Sequence, residues 1–207
     1  MRDPDLDGAR ARVLTAARAS GALGRGAPTR PAMERYDGVL YRELLWSTLP
    51  EPLRRRGAEE VRIVSGLLGL VAPDDPVPAY RLKMSASLPE TGKLSTWWRP
   101  RLAPVLARLA QGSVVWDLLP NEHAAACDWT EVEAHQRVRV RFVDAEDRTV
   151  SHWNKLLKGA LVEWILAERP ASAAGLAGFD HPLGYRLDDR ASTLDEEVAT
   201  AVFRQIS

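Results

Sequence analysis

Residues 137–143 read Arg-Val-Arg-Val-Arg-Phe-Val, and residues 153–168 read Trp-Asn-Lys-Leu-Leu-Lys-Gly-Ala-Leu-Val-Glu-Trp-Ile-Leu-Ala-Glu. The first stretch alternates a charged with an apolar side chain, the period of a strand that is wet on one face. In the second, Trp153, Leu156, Leu157, Ala160, Leu161, Trp164 and Ile165 recur at intervals that line one face of a helix. A half-buried strand followed by a helix with one apolar stripe implies a sheet with helices laid against it.

Working outward, Val61–Val64 and Val114–Leu118 are short β-branched or apolar runs and predict buried strands. Asp144–Arg148 is turn-like, and Thr149–His152 is predicted to return as the hairpin partner of 137–143. Gly184–Leu187 and Val198–Phe203 predict a strand pair, although the last segment equally fits a helix. Helices are predicted over 1–20, 33–46, 50–57, Trp98–Ala110 (opened by Arg99–Pro100) and Asn121–Cys127. Ser20–Pro31 and residues 72–79 hold too much Gly or Pro for regular structure. The expected fold is α/β (α+β), one domain over 1–207, with a mixed central sheet flanked by helices. In it Val61–Val64, Val114–Leu118, Val138–Phe142 and Thr149–Ser151 share one sheet, and the 153–168 helix packs on it. Residues 1–30 form an N-terminal helix and loop. Residues 171–207 form an acidic C-terminal segment, with six acidic against three basic residues.

Composition narrows the function. The chain has 207 residues, 45% hydrophobic and 27% charged, ordinary globular values. Lys+Arg and Asp+Glu are both 28, so no net charge steers the protein toward polyanions. One cysteine, Cys127, excludes a disulfide framework and a Cys-rich zinc site. The start of the chain lacks a signal-peptide core, and no apolar run approaches the roughly 20 residues that span a bilayer. A cytoplasmic location and no membrane partner are expected. His123, His135, His152 and His181 lack ligand spacing, so neither metal nor cofactor is expected. There is no Walker loop, GxGxxG, HExxH, GxSxG or CxxC.

Three segments could carry chemistry. Arg35-Tyr36-Asp37-Gly38 with Tyr41 sets two phenols about one helical turn apart. Tyr80-Arg81-Leu82-Lys83 follows a rigid proline loop that could hold a guanidinium in place. Ser151 through Asn154-Lys155 to Lys158-Gly159 lies where a strand enters a helix, and helix N-termini attract anions. Ser151 and Asn154 either cap that helix or bind there, and the lysines are either functional or solvated. Only four lysines occur in the chain, and two of them are Lys155 and Lys158.

These segments resemble the YaaA family, also called DUF328 or UPF0246, the peroxide stress proteins. The resemblance is carried in order by Ala32-Met33-Glu34-Arg35-Tyr36-Asp37-Gly38-Val39-Leu40-Tyr41, Ile63-Val64-Ser65-Gly66-Leu67-Leu68-Gly69-Leu70, Asp74-Asp75 with Pro78-Ala79-Tyr80-Arg81-Leu82, Asp117-Leu118 with Glu122, and Ser151, Asn154-Lys155 and Lys158-Gly159. It implies a compact α/β body with a positively charged cleft, resistance to hydrogen peroxide in the cytosol, low free iron, and DNA binding. The chain departs from the family pattern in three ways. It reads as an N-terminally shortened member without the usual opening strand. Leu156 and Glu163 stand where further basic residues are usual, and Pro120-Asn121-Glu122-His123 replaces a small-residue turn.

Two functional readings follow. In the first, the protein serves the peroxide-stress response through a cationic cleft that binds nucleic acid, weakly, or a small anionic ligand. In the second it is a diverged enzyme acting on a small anionic or nucleotide-like substrate, in specialised metabolite biosynthesis. Lys155, Ser151, Lys158 and Tyr41 are the candidate catalytic residues. Arg35, Tyr36, Ser65, Tyr80, Arg81, Glu122 and Asn154 are the candidate binding residues. Arg35, Arg81, Ser151, Lys155 and Lys158 are expected to converge on one polar cleft, and Arg54–Arg56 would supply phosphate contacts to nucleic acid.

Overall fold

The computed structural model of the chain describes residues 3–148 and 151–206, the side chains of 151–153 excepted. In chain order the elements are α1 (Asp7–Ala19), β1 (Thr29–Pro31), α2 (Ala32–Arg35), α3 (Val39–Leu44), α4 (Glu51–Glu60), β2 (Ile63–Ser65), β3 (Gly69–Val71), β4 (Pro76–Pro78), β5 (Ser87–Leu88), β6 (Gly92–Lys93), α5 (Leu94–Ala110), β7 (Val114–Asp117), α6 (Asn121–Ala124), β8 (Gln136–Val143), α7 (Ser151–Glu168), β9 (Tyr185–Leu187) and β10 (Val198–Gln205). The class is α/β, with a mixed sheet and helices flanking it. The chain divides into two compact units: residues 1–36, 57–111 and 119–133, and residues 37–56, 112–118 and 134–207.

The second unit is built on the two stretches that open the sequence reading. Its sheet has the order β7-β8-β10-β9. β7 and β10 flank β8 in parallel, and β9 is antiparallel to β10. Along β8, Arg139 and Arg141 are exposed while Val138, Val140 and Phe142 are buried, as the alternation predicts. Leu157 and Leu161 of α7 reach that buried face and are 0% exposed. Phe142 and Phe203 are register partners on β8 and β10, and their rings stack 5.0 Å apart. Tyr185 of β9 and Phe179 meet this pair edge-on. Such offset and T-shaped contacts add to the area term of burial. Gln136, 7% exposed, satisfies its amide fully by donating to the Leu194 and Glu196 carbonyls and accepting from the Ala173 amide. It thereby ties the C-terminal segment to the start of β8. The strand alternative holds for 198–205, and the helix alternative does not.

Close packing explains one glycine of the α7 motif. A Cβ on Gly159 would stand 2.5 Å from the Leu40 carbonyl and 2.8 Å from Glu43 Cβ. The helices α3 and α7 therefore touch backbone to backbone there, and glycine is the residue that permits it.

The first unit corrects several expectations. Ile63–Ser65 does not join the main sheet. It pairs antiparallel with β3 as a separate hairpin, closed by Gly69 at φ +75°. The Trp98 ring lies against that glycine, and its Nε1 donates to the Gly66 carbonyl at 2.9 Å. The helix predicted to open at Arg99–Pro100 begins at Leu94, so Pro100 and Pro104 lie inside it. An interior proline costs about 3 kcal/mol. Leu94, Ser95, Trp98, Leu102, Val105 and Leu106 are buried and hold the helix, while both prolines face outward. The predicted 33–46 helix is broken after Arg35, and α6 ends at Ala124 rather than Cys127. Ser151 and His152 lie in α7, not in a hairpin strand, and Thr149 lies outside the described residues.

Arg10 anchors α1. It is 4% exposed, and its Nε and Nη2 donate to the Leu68 and Leu70 carbonyls at 3.0 and 2.7 Å. Its Nη1 reaches the Asp3 carbonyl and the Asp7 carboxylate. A buried guanidinium is tolerated because its donors are met.

Leu161→Ala should lower stability by about 2–5 kcal/mol through the cavity it leaves, read as a fall in the urea midpoint. Gly69→Ala should destabilise as well, since the added Cβ would stand 2.7 Å from the Trp98 ring at a positive φ.

Candidate functional site

Tyr36, Ser65 and Tyr80 come from three separate segments of the first unit and meet through their hydroxyls. Tyr80 Oη lies 3.0 Å from Ser65 Oγ and 3.1 Å from Tyr36 Oη. Ser65 is 1% exposed, and its Oγ also accepts the Leu68 amide at 3.2 Å. The β2–β3 hairpin fixes the serine, the end of α2 fixes Tyr36, and the segment after β4 fixes Tyr80. The result is a chain of three hydroxyls running from a buried serine to two half-buried phenols. Each link can donate or accept, so the chain can pass a proton along its length or present one to a ligand.

Arg35 stands beside this chain in sequence. Its Nε donates to the Val77 carbonyl and its Nη2 to the Pro28 carbonyl, bracing β4 and the approach to β1. Arg81 follows Tyr80 directly and is exposed, while its amide is held by the Ala22 carbonyl at 2.9 Å. Glu122 accepts both the Ser85 amide and the Ser85 hydroxyl at 2.9 Å, and these bonds hold its carboxyl below the usual range. Burial lowers the pKa of the neighbouring His123, against the opposing pull of Glu122.

In the second unit, Tyr41 lies half-buried on α3, and Ser151, Asn154, Lys155 and Lys158 share α7. Ser151 opens the helix. Asn154 Oδ1 is buried without a hydrogen-bond partner among the described residues. Lys155 is exposed. Lys158 is not: its Nζ donates to the Leu118 carbonyl at 3.2 Å, just past β7. Burial lowers its pKa, Asp117 opposes that shift, and Arg139 adds to it. Asp117, 9% exposed, is in turn paired with Arg137 across β7 and β8, at 2.5 Å from Nη2 and 3.1 Å from Nε. Sequence reasoning passed over Arg137 as one of three alternating arginines. The available signal was its place at the start of the wet strand face, opposite a strand that ends in an aspartate.

The family described as Peroxide stress protein YaaA matches residues 8–191. The chain belongs to the YaaA peroxide stress protein family. Among its relatives, a UPF0246 protein of Streptomyces coelicolor is 38% identical over 168 residues, covering 80% of this chain and 65% of the relative. A UPF0246 protein of Methylibium petroleiphilum is 35% identical over 180 residues, covering 83% and 69%. One from Lacticaseibacillus paracasei is 31% identical over 176 residues, covering 83% and 70%. The chain spans about two thirds of the length of these UPF0246 relatives.

Within this YaaA-family chain the structure bonds Tyr36, Ser65 and Tyr80 to one another. Arg35 and Arg81 are sequence neighbours of that chain in the first unit, as Lys155 and Asn154 are neighbours of Lys158 on α7 in the second. Glu122 bonds Ser85 rather than any other candidate. Among the described residues no group of three or more His, Cys, Asp or Glu side chains could hold a metal ion, and no helix is long and apolar enough to cross a membrane.

The sign of the Lys158 effect is testable. A folded-state pKa below that of the unfolded chain means that the folded protein binds fewer protons between the two values. This group's contribution to stability therefore rises with pH through that window and is least favourable below it. Relative to the wild type, Lys158→Met should gain melting temperature at neutral pH, and the gap should shrink as pH approaches about 10.4, where a free lysine titrates. Parallel thermal melts across that range read it directly.

Proposed function

We propose that the protein serves the peroxide-stress response of its family by binding a small anionic ligand at the hydroxyl chain of the first unit, with Arg81 as the charged contact. The observation that carries this reading is the Ser65–Tyr80–Tyr36 chain itself. Burying the Ser65 hydroxyl and half-burying two phenols adds nothing to packing that Ala and Phe would not supply, and a buried hydroxyl needs a partner to offset desolvation. Hydroxyls and an exposed guanidinium are donors suited to anionic oxygens. A small ligand is favoured over nucleic acid because the chain has no net charge to attract a polyanion. A cytoplasmic site of action belongs to the same proposal.

Calorimetric titration with a panel of nucleotides and sugar phosphates tests it. Binding should saturate and weaken about tenfold in Tyr80→Phe and in Arg81→Gln, each lost contact being worth about 1.4 kcal/mol. Cells lacking their own family member should recover peroxide survival with the wild-type chain and not with Tyr80→Phe. Undiminished binding and survival in both variants would overturn the reading. Any duplex DNA binding should be weak, with log K falling by about 0.9 per neutralised phosphate for each tenfold rise in salt.

The second reading, an enzyme, is favoured by Lys158. Its amine is held by one carbonyl, and burial lowers its pKa, as in amines that serve as bases or nucleophiles. On that reading Lys158→Met abolishes turnover of a small anionic or nucleotide-like substrate, while the thermal melt of the variant shows that its fold is kept.

A further inference from the structure

The partners of the hydroxyl chain fix which way its protons point. Ser65 Oγ accepts the Leu68 amide at 3.2 Å and lies 3.0 Å from Tyr80 Oη. The residue is 1% exposed. A serine hydroxyl carries one proton and two acceptor lone pairs. The Leu68 N–H only donates, so it takes a lone pair and leaves the serine proton to be placed. Among the described residues Tyr80 Oη is the one acceptor that this proton reaches. Were Tyr80 to donate to Ser65 instead, the serine proton would be buried without a partner, and that arrangement is about tenfold less favoured or worse.

Ser65 therefore donates to Tyr80. The single phenol proton of Tyr80 goes to its other partner, Tyr36 Oη, at 3.1 Å. The bonds run from the Leu68 amide to Ser65, from Ser65 to Tyr80 and from Tyr80 to Tyr36, all toward one end. Tyr36 accepts within the chain and gives its own proton outside it. The turn where this order begins is held in place. Ser65 and Gly69 are register partners in the β2–β3 hairpin, and Arg10 donates to the Leu68 carbonyl between them at 3.0 Å. A phenol that already accepts one hydrogen bond meets a ligand as a donor. It bonds an oxygen that bears no proton. An oxygen that bears one is received only if the whole chain turns round, which strands the serine proton.

We propose that Ser65, too buried to touch a ligand itself, makes the site selective for the protonation state of its anion: a phosphate monoester binds as its dianion, and its protonated monoanion is turned away. Ser65 is thus a positioning residue that acts through Tyr80 on Tyr36. This selection rests on the hydroxyl chain being the anion site. Arg81, exposed beside Tyr80, attracts both forms of the ester, so the guanidinium contributes affinity and the chain contributes the choice.

Calorimetric titration of the full chain with a sugar phosphate and with inorganic sulfate tests it. A phosphate monoester takes up its second proton near about pH 6, whereas sulfate stays fully ionised from about pH 8 down to about pH 5. Sulfate therefore reports the protein's own titrating groups. Over that range the affinity for the sugar phosphate should fall about fivefold or more beyond any fall seen with sulfate, as the dianion is depleted. In Ser65→Ala the chain is free to reverse, and the two profiles should converge to within about twofold. Ser65→Thr, which restores a hydroxyl, should separate them again. Tyr80→Phe removes the middle link and should bring the same convergence in the weaker binding that remains. Parallel profiles in the wild-type chain overturn the selection and leave the anion site standing. So does a wild-type separation that Ser65→Ala and Tyr80→Phe both keep, since the ligand's charge alone then accounts for it. Absence of saturable binding of either anion overturns the anion site and the selection with it.

Discussion

Phe142 and Phe203 stand opposite each other on neighbouring parallel strands, and the second unit is organised around their contact. The stacked pair goes with the register of β8 against β10, because a slip of one residue in either strand would turn that strand's ring to the opposite face. The same register sets Val138 and Val140 toward α7, gives Leu157 and Leu161 a surface to cover, and leaves Arg139 and Arg141 outside. The position of Lys158 follows from this. It sits one residue past Leu157, at the edge of the apolar stripe, so packing the stripe draws its stem inward. The amine then ends at the Leu118 carbonyl. Lys155, three residues earlier, is turned far enough around the helix to stay in water. One hydrophobic contact thus decides which of two lysines is drawn in toward the packing.

The periodic elements were legible in the sequence because their signal is local. The alternation over 137–143 and the stripe over 153–168 are each contained in one element, and burial follows the pattern residue by residue. The short buried runs were not legible in the same way. Ile63–Ser65 has every residue buried, so its composition states that it is covered but not which strand it joins. Its partner is the strand that follows after one tight turn, and the signal for that is Gly69. Helix α5 shows the opposite limit: two prolines argue for a later start, and the burial of Leu94, Ser95 and Trp98 overrides them.

The candidate site was legible as a set of residues and not as a geometry. Tyr36, Ser65 and Tyr80 were each picked out by family motifs, but they are 15 and 44 residues apart along their two hydrogen bonds. No spacing rule links them. Gly159 was carried by the same motifs, and packing accounts for it: α3 leaves no room for a Cβ.

Arg10 has a consequence for the order of assembly. Its carbonyl acceptors, Leu68 and Leu70, lie 58 and 60 residues further along the chain. During synthesis from the N-terminus, α1 leaves the ribosome well before those carbonyls exist. Its buried face of Val13, Ala16 and Ala17 has nothing to cover it until later segments of the first unit follow. A short helix without tertiary support is marginal in water. The N-terminal segment therefore remains nascent until the hairpin closes, and a single guanidinium then captures one turn carbonyl and one strand carbonyl of that hairpin. Contacts of that sequence separation slow folding, so the helix that comes first in the chain is locked among the last in time.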